Sequence, residues 1–510
     1  MSKLRLLPLL ALLAVLPACL DLEVENFNAP GADQALANPA DVETLVQSGF
    51  YRAWNGWQKD NPTLMITSAA NDAQVSWGNW GAQDAGTVPR SSYDNSTTYG
   101  YQAAISAPWS NMYTGLSSMA DGMQALNQGV NFGEGGANNA RLEAWARFNQ
   151  GHIHGILAMM YDQAIIFDET IDLETADLTP VPYTEVMDAA LGYLSDALAV
   201  AEQNTFVIPG GEDGWVHGRE LTNVDLQEWI HSLKARFMAN VARTPAERQA
   251  ADWNQIAYHA DRGVQAEVDG PTSDASIWWV HLVARGFPSW TRTNYDIIGL
   301  HDESGGYENW ISTPWGDRTP FTLDTPDRRV MNPAADDPQS VEGRGTYQHH
   351  SQSWGHGCSP FPPERGTYFN SCYRNMRYHP WNDGVMAYFL RAEADLLKAE
   401  GHLYDNNIPA AVELINRTRV ENGEMEPLDP NNTSMDEAWA NLIYESGMEL
   451  QFSWTGQRHF NARGWGHLVC GTPVHYPVPA GELELLEMPR YSFGGSVGGA
   501  AGDDGPCRDM

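Results

Sequence analysis

Apolar stripes at helical spacing recur along this chain with short polar links between them, and such a series buries its apolar faces by stacking helix on helix. Val42, Leu45, Val46, Gly49, Phe50, Ala53 and Trp57 mark a helix over residues 39–58. Asn38-Pro39 opens it, an N-cap with proline at the first helical position. Trp109, Met112, Leu116, Met119, Met123 and Leu126 mark another over 108–127, and further helices are expected over 138–167, 184–203, 223–243 and 251–266. Val385, Phe389, Ala392, Leu396, Ala399 and Leu403 form one more stripe, with Gly401 as its C-cap. A helix over 408–420 follows, then one from Ser434, where Ser434 and Glu437 make the capping-box pattern. The predicted fold is mainly α, a tetratricopeptide-like helical repeat scaffold without a visible tetratricopeptide consensus.

Two stretches break the periodicity. Residues 62–107 are rich in Gly, Ser, Thr and Asn and include Asn71-Asp72 and Trp77-Gly78-Asn79-Trp80. In 270–382, Gly, Pro, Asp and Ser interrupt every candidate helix, yet seven of the 19 tryptophans fall there. Long loops on a rigid scaffold are where binding residues concentrate. Stacking rings are therefore expected from both stretches: Trp77 and Trp80 from the first, Trp290, Tyr295, Trp310 and Trp315 from the second, with Asp72 as a hydrogen-bonding partner for ligand.

The N-terminus reads as an export signal. Lys3 and Arg5 precede an apolar run from Leu6 to Leu16, shorter than the roughly 20 residues that span a bilayer. It ends in Leu16-Pro17-Ala18-Cys19, which looks like a bacterial lipobox, so residues 1–18 are read as a signal peptide and Cys19 as the lipidated residue of a tether over 19–37. A single domain is expected over 38–493, followed by a Gly-rich tail over 494–510. A lipid anchor places the folded part on an outer membrane rather than in it. Thirty Lys and Arg against 65 Asp and Glu give −35, and losing Lys3 and Arg5 takes this to −37. Such a surface argues against nucleic acid or anionic lipid as a partner. Four cysteines remain besides Cys19, and in an exported protein they suggest two disulfides; short loops favour Cys358–Cys372 and Cys470–Cys507 among three connectivities. His349, His350 and His356 lie near Cys358, but the spacing matches no common zinc pattern, and no metal is expected.

Several blocks resemble the SusD/RagB family. Residues Tyr388 to Gly401 (YFLRAEADLLKAEG) and Ala410 to Arg419 (AAVELINRTR) are similar to its central signature, a helix ending RAEAYLAEG followed by one ending IN-x-[VT]-R. Glu445, Glu449-Leu450, Gly456, Arg458 and Arg463-Gly464-Trp465-Gly466 resemble the later ER…EL…EG-x-R…RWG block, and His475 to Leu483 its C-terminal PIP…EL. Asp327-Arg328 resembles the family's D-x-R. Three positions depart from the pattern: Ser446 replaces arginine, Thr455 glutamate and Asn461 aspartate, a coherent loss within a structural charge network. The resemblance implies a cell-surface protein without cofactor or chemistry of its own. Its expected partners are an oligosaccharide or peptide ligand and a SusC-like TonB-dependent outer-membrane barrel to which the ligand is delivered.

Two other classes fit the residues less well. A helical glycoside hydrolase needs two carboxylates across the sugar, but Glu445 and Glu449 lie one turn apart on one predicted helix, an ordinary structural arrangement. No His-Glu-x-x-His, Gly-x-Ser-x-Gly or phosphate-cradling Gly loop is present. A pure helical scaffold would bind through repeat grooves, without need of a long Trp-rich insertion.

Overall fold

The computed structural model describes residues 38–59, 62–75, 78–173, 175–274, 278, 291–330, 345–350, 371–377, 384–495 and 507–508. The chain opens as expected at Asn38, whose side chain accepts the backbone N–H of Ala40, with Pro39 in the first turn. The single helix expected over 39–58 is instead α1 (Pro39–Gln47), α2 (Gly49–Trp54) and a π-helical turn, Asn55–Lys59. The break falls at Ser48, whose hydroxyl donates back to the Leu45 carbonyl at 2.7 Å and competes with the backbone ladder.

Long helices follow: α3 (Ala103–Asn127), α4 (Asn139–Met160), α5 (Tyr183–Gln203), α6 (Asn223–Asn240) and α7 (Trp253–Ala260). Then come α8 (Arg391–Tyr404), α9 (Ile408–Glu421), α10 (Met435–Leu450) and α11 (Gln457–Trp465). Each from α3 to α8 packs on the next, and α8 packs on both α9 and α10, which is the stacked-pair arrangement of a tetratricopeptide-like scaffold. Helix α4 is central, with every residue from Phe148 to Met160 buried. Its neighbours approach closely because Gly151 and Gly155 sit one turn apart. A Cβ on Gly151 would stand 2.7 Å from the Ala190 carbonyl of α5, and one on Gly155 would stand 2.1 Å from the Phe237 ring of α6. As expected, Ser434 caps α10 by accepting the Glu437 N–H, and a capping box not singled out from the sequence, Thr222 with Asp225, closes α6. Among the described residues, no helix is long and apolar enough to cross a membrane.

Elsewhere the stripes overran the helices. Predicted 138–167 stops at Met160, where Tyr161 bridges to Tyr476 and Gln163–Ala164 pairs with Val181–Pro182. Predicted 251–266 is Trp253–Ala260 alone. Phe389 belongs to a two-residue strand paired with Val268–Asp269, so α8 begins only at Arg391, and Val385 lies outside it. Gly401 is not a cap but an interior residue of α8, where its missing side chain lets Trp253 approach. The stretch 62–107, read as non-helical, holds short helices at Thr63–Ala69 and Ala82–Gly86.

The two aperiodic stretches meet. Strand β1 (Ala73–Val75) pairs antiparallel with β2 (Thr291–Thr293), Ala73 opposite Thr293 and Val75 opposite Thr291. A second ladder joins β3 (Gln348–His350) to β4 (Tyr373–Asn375). Gln451, at the end of α10, ties both to the scaffold: its amide donates to the Asp72 carbonyl at 2.9 Å and accepts from Gln348 and Asn375 at 2.8 Å.

Candidate functional site

The loop region is anchored by buried charge. Arg329 is fully buried and donates to Asp327 at 2.7 Å, to Glu445 at 2.8 Å and to Glu449 at 2.8 Å. Glu449 also pairs with Arg377, Tyr444 donates to Asp327 at 2.7 Å, and Thr418 donates to Glu445 at 2.7 Å. Burial by itself would raise the Asp327 carboxyl, but the Arg329 guanidinium and the Tyr444 hydroxyl outweigh it and hold Asp327 below its ordinary value. Burial dominates at Glu445 and raises it despite Arg329. The D-x-R pair is therefore Asp327 with Arg329; Arg328 points outward and pairs with Glu424. Glu445 and Glu449 point the same way, as expected, but at a guanidinium rather than across a cleft, so they hold the fold.

The ring residues divide. Tyr295 is fully buried, stacked on Phe321 at 4.3 Å and edge-on to Trp310 at 5.3 Å. Trp310 is 3% exposed. With Leu323, Tyr373, Tyr444 and Met448 these two form a core cluster against α10, which corrects their assignment as ligand-stacking rings. Trp315 and Trp80 are partly exposed. Arg318 lies between Trp310 and Trp315, 4.4 and 5.4 Å from the ring centres. Trp80, at φ 57°, packs one face on Leu64, Val75 and Ala82. Asp72 is 6% exposed under the β1–β2 ladder, and its carbonyl serves Gln451 and the Asn294 N–H. Trp77, Trp290, Cys19, His356 and Cys358 lie outside the described residues. Cys470 is bonded to Cys507, and Cys372 is also disulfide-bonded. Among the described residues, no group of three or more His, Cys, Asp or Glu is placed to hold a metal ion.

An open cavity of about 440 Å³ lies between residues 81–99 and the C-terminal segment 473–476. Its walls include Asp84, Arg90, Tyr93, Asp94, Tyr99 and Tyr476. Tyr93 stands edge-on to Tyr99 at 5.7 Å and to Tyr476 at 5.5 Å, so the three rings brace one another. Burial, with Tyr99 and Tyr476 close by, raises the Tyr93 hydroxyl far above the ordinary phenol range and keeps it a neutral donor. Thr87, Ser91 and Ser92 also line it, the Thr87 and Ser92 hydroxyls donating to the Gln83 and Gly494 carbonyls. Arg90, 3% exposed, is a strut rather than a ligand hand: it donates to Thr472 Oγ1, the carbonyls of Thr87 and Ala69, and Asn71 Oδ1. Rigid rings beside a few polar and carboxylate groups in a cavity of this size make it the candidate site. Sequence reasoning identified the stretch but not these tyrosines. The signal present was the run Ser91-Ser92-Tyr93-Asp94 and Tyr99-Gly100-Tyr101, polar and aromatic together without helical period.

The sequence matches no protein-family model and no curated protein. Its fold, however, is shared with solved structures. A SusD superfamily protein from Bacteroides vulgatus ATCC 8482 superposes with a TM-score of 0.53 at 12% identity, covering 84% of this chain and 88% of that one. A SusD superfamily protein from Bacteroides fragilis gives 0.52 at 13% identity, covering 89% and 99%. A SusD-like carbohydrate binding protein from Bacteroides fragilis NCTC 9343 gives 0.51 at 14% identity, covering 84% and 87%. The chain has the SusD-like fold.

Proposed function

We propose that this protein binds oligosaccharides on its loop-built face and passes them to a TonB-dependent outer-membrane barrel, anchored at the cell surface by lipid on Cys19. The observation that carries the binding step is the tyrosine-walled cavity over residues 81–99, with rings and carboxylates that suit the ring faces and hydroxyls of sugars. The SusD-like fold supports the reading, since one of its structural neighbours is a carbohydrate binding protein. Trp80 and Trp315, partly exposed rings outside the cavity lining, are further candidates, with Trp77 and Trp290 from the same stretches of sequence. The delivery step and the anchor rest on the sequence resemblance and the lipobox.

Titration of the purified protein with neutral oligosaccharides, and with peptides in parallel, tests the binding step. Tyr99→Ala removes one wall of the cavity and should weaken a verified sugar at least tenfold, about 1.4 kcal/mol, with thermal stability unchanged. If sugars bind and Tyr99→Ala, Trp80→Ala and Trp315→Ala all leave affinity within twofold, this face is not the site. Barrel partnership is tested by co-purification from gently solubilised outer membranes, and anchoring by acylation of Cys19 and its loss in Cys19→Ser.

A further inference from the structure

The charge of the cavity sorts its ligands. Asp84 and Asp94 stand exposed in its wall. Asp84 accepts one hydrogen bond, from the Tyr99 hydroxyl at 2.7 Å, and Asp94 accepts one from the Ser96 N–H at 3.1 Å. Neither forms an ion pair among the described residues, and each carboxylate keeps lone pairs for a ligand. Arg90, the cation in the lining, has spent donors on four protein acceptors in the direction of the scaffold. Among its described lining residues the cavity therefore sets two exposed carboxylates against one buried guanidinium whose N–H groups serve neutral protein acceptors, a negative balance inside a chain whose formal charge is already −35.

Resting on the carbohydrate reading above, we infer that the cavity selects sugar residues that donate hydrogen bonds, hydroxyl- or amine-bearing, and rejects carboxylated or sulfated ones. The physical reason is that an amine or hydroxyl gains a charge-assisted hydrogen bond from Asp84 or Asp94. A carboxylate or sulfate placed there meets like charge, which costs specificity against that ligand as surely as a steric clash does.

Three pentasaccharides are the probes: cellopentaose, a glucosamine pentamer and a galacturonic acid pentamer. Calorimetry at low ionic strength should rank the glucosamine pentamer at or above cellopentaose, and cellopentaose at least tenfold above the galacturonate pentamer. The paired change Asp84→Asn with Asp94→Asn should cut the gap between the glucosamine and galacturonate pentamers by tenfold or more. Raising salt from about 20 to 500 mM in the unmodified protein should narrow the same gap, since exposed charges are screened within a few ångströms at high salt. That second measurement decides the matter if the double variant does not fold. Galacturonate binding as tight as cellopentaose, or a preference that survives both the Asn changes and salt, overturns the inference while leaving the carbohydrate reading intact. If no pentamer binds and a basic peptide such as pentalysine does, both readings fall.

Discussion

Helix α4 and the loop segment 291–330 are both held against the scaffold, the helix buried along its C-terminal half and the loop only in part, and against different chemistry. Along α4 the contacts are close and mostly apolar: Gly151 and Gly155 admit α5 and α6, Phe148, Ile153, Ile156 and Leu157 join the largest core cluster, and the buried His152 and His154 hydrogen-bond with the Tyr388 hydroxyl and the Gln150 carbonyl. The loop segment has no long amphipathic helix to offer. Its interior is a compact ring cluster around Tyr295, joined to α10 by Arg329 and three carboxylates. The comparison teaches how irregular backbone can be fixed to a regular scaffold. Where periodic packing is missing, a directional, many-handed guanidinium defines the position.

The largest test breaks the charged anchor. Arg329→Met keeps the length of the side chain but leaves Asp327, Glu445 and Glu449 short of their shared cation, with Arg377 the remaining guanidinium on Glu449. Removing one partner from a buried charge cluster costs about 3–5 kcal/mol. The urea midpoint should fall accordingly, and the loop segment should become the first proteolysed. A midpoint within the error of the unmodified protein would mean the carboxylates relax by taking protons, and the anchor reading would be wrong.

The apolar half has its own weak point. Gly155→Ala drives a methyl to 2.1 Å from the Phe237 ring, and the resulting overpacking should cost about 1–3 kcal/mol. Chemical denaturation reads it, and the loss should appear with sugar affinity unchanged because α4 does not line the cavity.

Acid should separate the halves as well. Burial holds His152, His154 and His459 down to about 3, 4 and 3, from an ordinary 6.5. Unfolded, these histidines take up protons that the folded chain refuses. Their contribution to stability is therefore complete above pH 6.5 and declines as pH falls from 6.5 toward 4. The slope is up to about 1.4 kcal/mol per pH unit for each. Asp327, held below its ordinary 3.8, loses its contribution only at still lower pH. Stability at pH 5 should be lower than at pH 7.5, and His459→Gln should recover up to about 2 kcal/mol of that difference, measured as the change in urea midpoints. An identical pH dependence in the two proteins would remove His459 from the account.

How much of this was legible follows from locality. Caps at Asn38 and Ser434 and the stripes of α3, α5 and α9 depend on residues a turn apart, and they stood in the sequence. Misreadings arose where a distant partner decided the outcome. Phe389 keeps its stripe position but is drawn into a strand by Val268–Asp269, and Gly401 stays helical because Trp253 needs the space. Tyr295 and Trp310 sit among loop-forming residues and so looked like surface rings; their burial comes from Phe321 and Tyr444, which no local pattern connects to them. Of the three positions read as departures from the family pattern, two meet in the fold, while the Thr455 N–H donates to Gln58 instead. Ser446 and Asn461 meet, the Asn461 amide donating to the Ser446 hydroxyl at 3.2 Å, so a neutral pair occupies both positions. Their joint exchange avoids the lone buried charge that a single change would leave.

The smallest effect sharpens the comparison most, because it concerns the neighbour of the anchor. Arg328 and Arg329 are adjacent in sequence, and the family motif aligned from sequence placed the pair at Asp327-Arg328. In the fold, Arg328 and Glu424 are side chains about half exposed, 44% and 54%, whereas Arg329 and its carboxylates are at 0%. An exposed ion pair contributes about 0–1 kcal/mol, since water solvates both charges and salt screens them. Arg328→Ala should therefore shift the urea midpoint by no more than about 0.5 kcal/mol equivalent, and the shift should vanish in 0.5 M salt, while the Arg329→Met loss persists there. A large, salt-resistant loss at Arg328 would mean that the pair aligned from sequence carries the anchor, and that the D-x-R motif had been assigned to the wrong arginine.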